Sequence, residues 1–130
     1  MKIMKLPKYI FFLVLLFIVS ACAFQEPDYL QMVDAAELNQ IMAKEDIFLM
    51  DVHTPKQAHI KGTDVFIPYN KVKQYQDKLP KDKNTPIYLY CEGGPMGNAA
   101  ARSLHDLGYN KLFNLKGGAR AWRGAGYKFE

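Results

Sequence analysis

The sequence predicts a single α/β domain, built on a mostly parallel sheet of about five strands with helices on both faces. Three observations predict it. Short apolar runs alternate with helix-like segments along the chain, and strands separated by helices pair in parallel. The run IFLMDV (47–52) is almost continuously apolar, as a strand covered on both faces is. A chain of 130 residues holds one domain, and 49% apolar with 23% charged residues suits one that buries a core.

The elements follow in order. YLQMV (29–33) reads as a first short strand. Asp34 then stands three residues before Glu37, a capping-box-like start for a helix running to Lys44. Strands are expected at 47–52 and, more briefly, at 65–67. NKVKQYQDKL (70–79) reads as a polar surface helix, and LPKDKNTP (79–86) as a turn-rich connector. PIYLYC (86–91) is the central strand. Behind the loop that follows it, Ala100, Leu104 and Leu107 recur at helical spacing, with Gly108 as the stop. KLFNL (111–115) is the last strand, and GGARAWRGAG (117–126) a short helix bounded by glycines. The chain shows no internal repeat.

The N-terminus has the three-part plan of an export signal. MKIMKLPK is basic, YIFFLVLLFIV is apolar over residues 9–19, and SAC supplies small residues. The apolar run is shorter than the roughly 20 residues a membrane span needs. VSAC (19–22) resembles a bacterial lipobox, which implies that Cys22 becomes the first mature residue and carries a lipid. The expected organisation is a signal peptide at 1–21, a lipidated cysteine and short tether at 22–28, and the domain at 29–130. Cleavage by the ordinary signal peptidase and an uncleaved anchor are the alternatives. The expected location is the bacterial cell envelope, facing the periplasm or exterior, in either membrane. Removing Lys2, Lys5 and Lys8 leaves 14 basic against 13 acidic residues, a net charge of +1. No basic cluster falls on one predicted face, so nucleic acid is not an expected partner.

With Cys22 lipidated, Cys91 has no disulfide partner, and a lone cysteine in an exported protein is a candidate reactive thiol. The alternative is an inert buried cysteine. The adjacent Gly93 and Gly94 favour an open loop over burial. Cys91 also stands at the carboxyl end of the central strand, the edge where open parallel sheets bind ligands.

Four motifs then carry a resemblance. DVHTP (51–55) is similar to Asp-Val-Arg-x-Pro, and AHIKG (58–62) to Gly-His-Ile-x-Gly. YCEGGPMGNAAARSLHDLGY (90–109) follows a Cys-x-x-Gly-x-Arg-Ser loop and its helix, and LKGGARAW (115–122) matches Leu-x-Gly-Gly-x-x-Ala-Trp throughout. In this order they resemble a single rhodanese-like domain over about residues 29–128. The resemblance implies a sulfurtransferase whose Cys91 takes a sulfane sulfur from thiosulfate or polysulfide, holds it as a persulfide and passes it to a thiol acceptor. It implies no metal and no organic cofactor. It makes Glu92, Gly93, Gly94, Pro95, Met96 and Gly97 the substrate-binding loop, with Gly117 and Gly118 shaping the site beside it. A loop leading into a helix can aim several N–H groups at one point and stabilise a sulfur anion there. Asp51 is expected to fix its neighbouring loop, His59 to be structural and Trp122 to pack in the core.

The match departs from the family at four places. Met96 stands where the loop arginine belongs, which disfavours dianionic thiosulfate and suits a less charged donor. Glu92 adds a negative charge beside Cys91, and Pro95 has no N–H to give. His53 replaces the arginine of Asp-Val-Arg, and the segment from Pro55 to His59 is short. The expected activity is therefore sulfur transfer with weak thiosulfate use, against the alternative of a binding or regulatory module. Phosphatase or arsenate-reductase chemistry is disfavoured, because those relatives use a longer loop that closes on an arginine.

Overall fold

The computed structural model describes Ile3 and residues 26–130. The rest of the export segment, Cys22 and the lipid expected on it lie outside the described residues. Five strands form one sheet: β1 (Leu30–Val33), β2 (Phe48–Asp51), β3 (Val65–Phe66), β4 (Ile87–Tyr90) and β5 (Leu112–Leu115). Between them lie α1 (Ala35–Lys44), a 3-10 helix (Val72–Lys78) and α2 (Pro95–Asp106), and α3 (Gly118–Gly124) follows β5. The strand order is β1-β5-β4-β2-β3 and every neighbouring pair is parallel. The expected α/β architecture is therefore present.

Alternation along the strands divides the core in two. Met50, Ile87, Leu89 and Cys91 pack on one face with Ala100, Ala101 and Leu104 of α2, and with Val72 and Leu79 around the 3-10 helix. Leu49, Tyr88, Tyr90 and Leu115 pack on the other with Leu38 of α1 and with Ala119 and Trp122 of α3. All four residues of β4 are buried, so the strand leading to Cys91 is the rigid centre of the molecule. Its last residue is tied sideways as well. The Tyr90 hydroxyl accepts from the Ile60 N–H at 2.9 Å and lies 2.8 Å from Thr63 Oγ1. Burial pushes this phenol well above the ordinary tyrosine range, so it stays neutral.

The caps explain where the helices begin. Asp34 Oδ1 accepts the Glu37 N–H at 2.8 Å, as the capping-box reading expects. Pro95 opens α2 in its first turn, where a missing N–H costs nothing. Two expectations need correction. Residues 70–79 form no α-helix: the segment is a 3-10 helix over Val72–Lys78, broken at Tyr75 (φ −114°, ψ 28°). Lys71 supplies no side-chain cap and only Val72 of the segment is buried, so neither end nor face stabilises a regular helix. The strand expected at 65–67 is shorter, at Val65–Phe66.

Candidate active site

Cys91 directly follows β4 at the carboxyl edge of the sheet. Only Glu92, Gly93 and Gly94 separate it from α2, so Pro95, Met96 and Gly97 of the expected loop are already helical. Gly94 has φ +126°, a backbone conformation that side-chain-bearing residues rarely adopt. In that conformation its N–H donates to Cys91 Sγ at 2.9 Å. Cys91 is 2% exposed and belongs to the packed layer beneath α2. This corrects the expectation that flanking glycines keep the thiol open: they let the chain fold down over the sulfur. Met96, half-buried, packs against the same layer.

The amides of the loop are only partly committed to the sulfur. Pro95 has none to give. Those of Gly97 and Asn98 donate to the Gly94 carbonyl at 3.0 and 3.3 Å. Those of Glu92, Gly93 and Met96 have no protein partner among the described residues. The expected convergence of several N–H groups is thus realised on Sγ by Gly94 alone.

The two glycines before α3 close the site from the other side. The Ala119 N–H donates to the Cys91 carbonyl at 2.8 Å, and the Arg120 N–H to the Glu92 carbonyl at 3.0 Å. A Cβ on Gly118 would lie 2.2 Å from the Cys91 carbonyl oxygen, so only glycine permits this approach. Gly117 is also confined, since its Cβ would lie 2.8 Å from that of Ala121. Both lie where a side chain would not fit.

Glu92 does not act as a free charge beside the thiol. Its Oε1 accepts from Arg123 Nη1 at 3.1 Å, and its Oε2 is buried without a partner. Arg123 was not anticipated from the sequence, where nothing distinguishes it from other helical arginines. Asp51 is 2% exposed and structural: Oδ1 accepts the His53 N–H at 2.9 Å and Oδ2 pairs with His59 Nδ1 at 2.7 Å. His53, in the place of the family's arginine, turns Nδ1 to the Pro55 carbonyl at 2.8 Å. Trp122 is core, with its Nε1–H donated to the Lys128 carbonyl at 3.0 Å. Among the described residues, no group of three His, Cys, Asp or Glu side chains is placed to hold a metal ion.

Asn114 is the second residue that sequence reasoning missed. It is fully buried in β5, and its Nδ2 donates to the Gly94 carbonyl at 3.1 Å and to Asn98 Oδ1 at 2.8 Å. The signal was present as the one polar side chain at the carboxyl end of the otherwise apolar LFNL.

Met96 is the departure most open to test. Met96→Arg is expected to raise turnover of thiosulfate about tenfold, the size of one charge-assisted hydrogen bond, and to raise use of polysulfide, an anion whose charge is spread along its sulfur chain, by less. Steady-state rates with the two donors check it. No gain with thiosulfate would place the limitation in Glu92 or Pro95.

Comparison with known proteins identifies the family. A family model described as "Rhodanese-like domain" matches residues 34–125. The chain is 31% identical over 93 residues to a protein named "Sulfurtransferase" from Allochromatium vinosum, a match covering 69% of this chain and 85% of that one. It is 37% identical over 79 residues to the uncharacterized protein YqhL of Bacillus subtilis, covering 58% of this chain and 60% of YqhL. The rhodanese-like domain of the Anabaena protein Alr3790, solved by NMR, is similar with a TM-score of 0.66 at 26% identity, over 76% of this chain and 77% of that one. With a matching family model over most of its length and a relative 31% identical over 69% of the chain, the chain belongs to the rhodanese-like domain family.

Proposed function

We propose that this protein is a sulfurtransferase or sulfane-sulfur carrier that works through a persulfide on Cys91, outside the cytoplasm, on a membrane anchor supplied by lipidated Cys22. The observation that carries the chemistry is the sulfur itself: Cys91 Sγ lies at the carboxyl end of the central strand, with the Gly94 N–H donated to it at 2.9 Å. The relative named "Sulfurtransferase" supports the same reading.

The steps are displacements at sulfur and need no cofactor. The Cys91 thiolate attacks the outer sulfur of thiosulfate. A new S–S bond forms, the S–S bond of thiosulfate breaks, and sulfite leaves with the electron pair. With polysulfide the leaving group is the shortened polysulfide anion. An acceptor thiolate then attacks the outer sulfur of the persulfide, and Cys91 departs as thiolate. Sulfur addition moves negative charge one atom outward, and the partnerless N–H groups of Glu92, Gly93 and Met96 are the donors the loop has left for it. Burial of Cys91 restricts the donor to a small species, and the apolar, polarizable Met96 favours one whose charge is more diffuse than that of thiosulfate.

A second reading, a binding or regulatory module, is favoured by the 2% exposure of Cys91 and by the Gly97 and Asn98 amides turned onto the Gly94 carbonyl. A turnover assay with polysulfide or thiosulfate as donor and a small thiol as acceptor separates the two. Transfer with polysulfide and slower transfer with thiosulfate are expected. No transfer above background with either donor favours the module. For the anchor, Cys22→Ala is expected to move the protein from the membrane to the soluble fraction, and unchanged retention and size contradict lipidation.

A further inference from the structure

We propose that Asn114 is a positioning residue for the sulfur site: by holding the Gly94 carbonyl, it keeps the Gly94 N–H aimed at Cys91 Sγ. The proposal rests on Cys91 being the reacting sulfur.

β5 lies beside β4, and Asn114 pairs in register with Leu89. Register partners in a parallel pair share a face, and Leu89 and Cys91, two residues apart, pack in one layer beneath α2. The Asn114 side chain therefore rises from the sheet on the side where α2 begins. There its Nδ2 spans two elements, the last loop residue through the Gly94 carbonyl and the first turn of α2 through Asn98 Oδ1. The Gly94 carbonyl also receives the N–H groups of Gly97 and Asn98. Three donors on one oxygen anchor the peptide plane that follows Gly94, and so restrain the residue in the conformation (φ +126°, ψ −44°) in which its N–H meets the sulfur.

Two further observations separate this from ordinary packing. Asn114 Oδ1 is buried without a partner. Both acceptors on the amide require its NH2 group, so rotating the amide to satisfy Oδ1 would set oxygen against oxygen. An apolar side chain of similar size would strand no acceptor, so packing alone does not account for asparagine here. Room has also been made for it: a Cβ on Gly97 would lie 2.2 Å from Asn114 Oδ1. Gly97, where the Cys-x-x-Gly-x-Arg-Ser pattern has serine, is thus explained by a side chain seventeen residues further on rather than by the turn itself.

The test uses Asn114→Ala with two readouts, the pH dependence of Cys91 alkylation by iodoacetamide and the rate of sulfur uptake from polysulfide. Loss of one hydrogen bond's worth of thiolate stabilisation is expected to raise the alkylation midpoint by about half a unit to one unit relative to wild type, and to slow uptake at neutral pH about three- to tenfold. Leu38→Ala is the control. It opens a cavity on the opposite face of the sheet, and is expected to lower Tm while leaving the midpoint in place. Asn114→Thr, suited to a strand but too short to reach the Gly94 carbonyl, serves if the alanine variant does not fold. A folded Asn114 variant with the wild-type midpoint and uptake rate overturns the proposal. If wild type itself takes up no sulfur, the carrier reading fails, and the alkylation midpoint still decides the role of Asn114.

Discussion

Replacing Cys91 by serine is expected to reduce sulfur delivery from polysulfide to a small thiol to the uncatalysed background, with the fold intact. Both halves of this expectation follow from the site. Serine is smaller than cysteine by little more than the difference between oxygen and sulfur, and its hydroxyl can accept the Gly94 N–H that now meets Sγ. The packed layer around residue 91 therefore loses little, and Tm should stay within a few degrees of wild type. The chemistry has no such tolerance. A hydroxyl is not ionised at neutral pH and does not displace a leaving group from sulfur as a thiolate does. No other described cysteine can substitute for it. Turnover and thermal melts, measured on the same preparation, check the two halves together. Transfer well above background in a folded Cys91→Ser variant would move the reaction to another residue.

Gly118→Ala is expected to destabilise the domain by about 3 kcal/mol or more, from strain at φ +57° together with overpacking. For a domain of this size that lowers Tm by at least about 10 °C. The contact is backbone on backbone: the new Cβ would lie 2.2 Å from the Cys91 carbonyl oxygen and 2.7 Å from the Glu92 carbonyl carbon. Neither partner is a flexible side chain that could swing away. Moving α3 outward would break the bonds from the Ala119 and Arg120 amides to the Cys91 and Glu92 carbonyls. It would also carry Arg123 away from Glu92, leaving that carboxylate beside the sulfur without its cation. Activity should therefore fall further than the loss of folded protein explains. Gly124→Ala, where an added Cβ meets nothing within 4 Å, is the matched control and should keep the wild-type Tm within about 2 °C.

The fold was legible because its signals are local. The apolar runs of β2 and β4, the Asp34–Glu37 cap and the stop at Gly108 each lie within a few residues of the element they define. The position of Cys91 at the carboxyl edge followed from the same signals. The place of Asp51 at a strand end, and of the Gly117–Gly118 pair next to the Cys91 loop, was legible from strand ends and motif order. What could not be read depends on contacts between distant segments. Asn114 reaches Gly94 across twenty residues, and Arg123 reaches Glu92 across thirty-one. Neither pair has a periodicity or spacing to announce it. The burial of Cys91 was misjudged for a related reason. Glycines beside a cysteine permit both an open loop and one folded tightly over the sulfur, and packing beneath α2 selects the second. The segment 70–79 was misread because its polarity suits a surface helix, while the missing cap at Lys71 and the single buried residue, Val72, leave a regular helix unsupported.

Intact-mass spectrometry of the polysulfide-treated domain, followed by peptide mapping, tests most directly whether the sulfur under the Gly94 amide takes up and holds another. A gain of about 32 Da, one sulfur atom, is expected on the peptide containing Cys91, removed by a small thiol and absent from Cys91→Ser. An unshifted wild-type mass, or a gain that persists in the serine variant, would contradict a persulfide on Cys91.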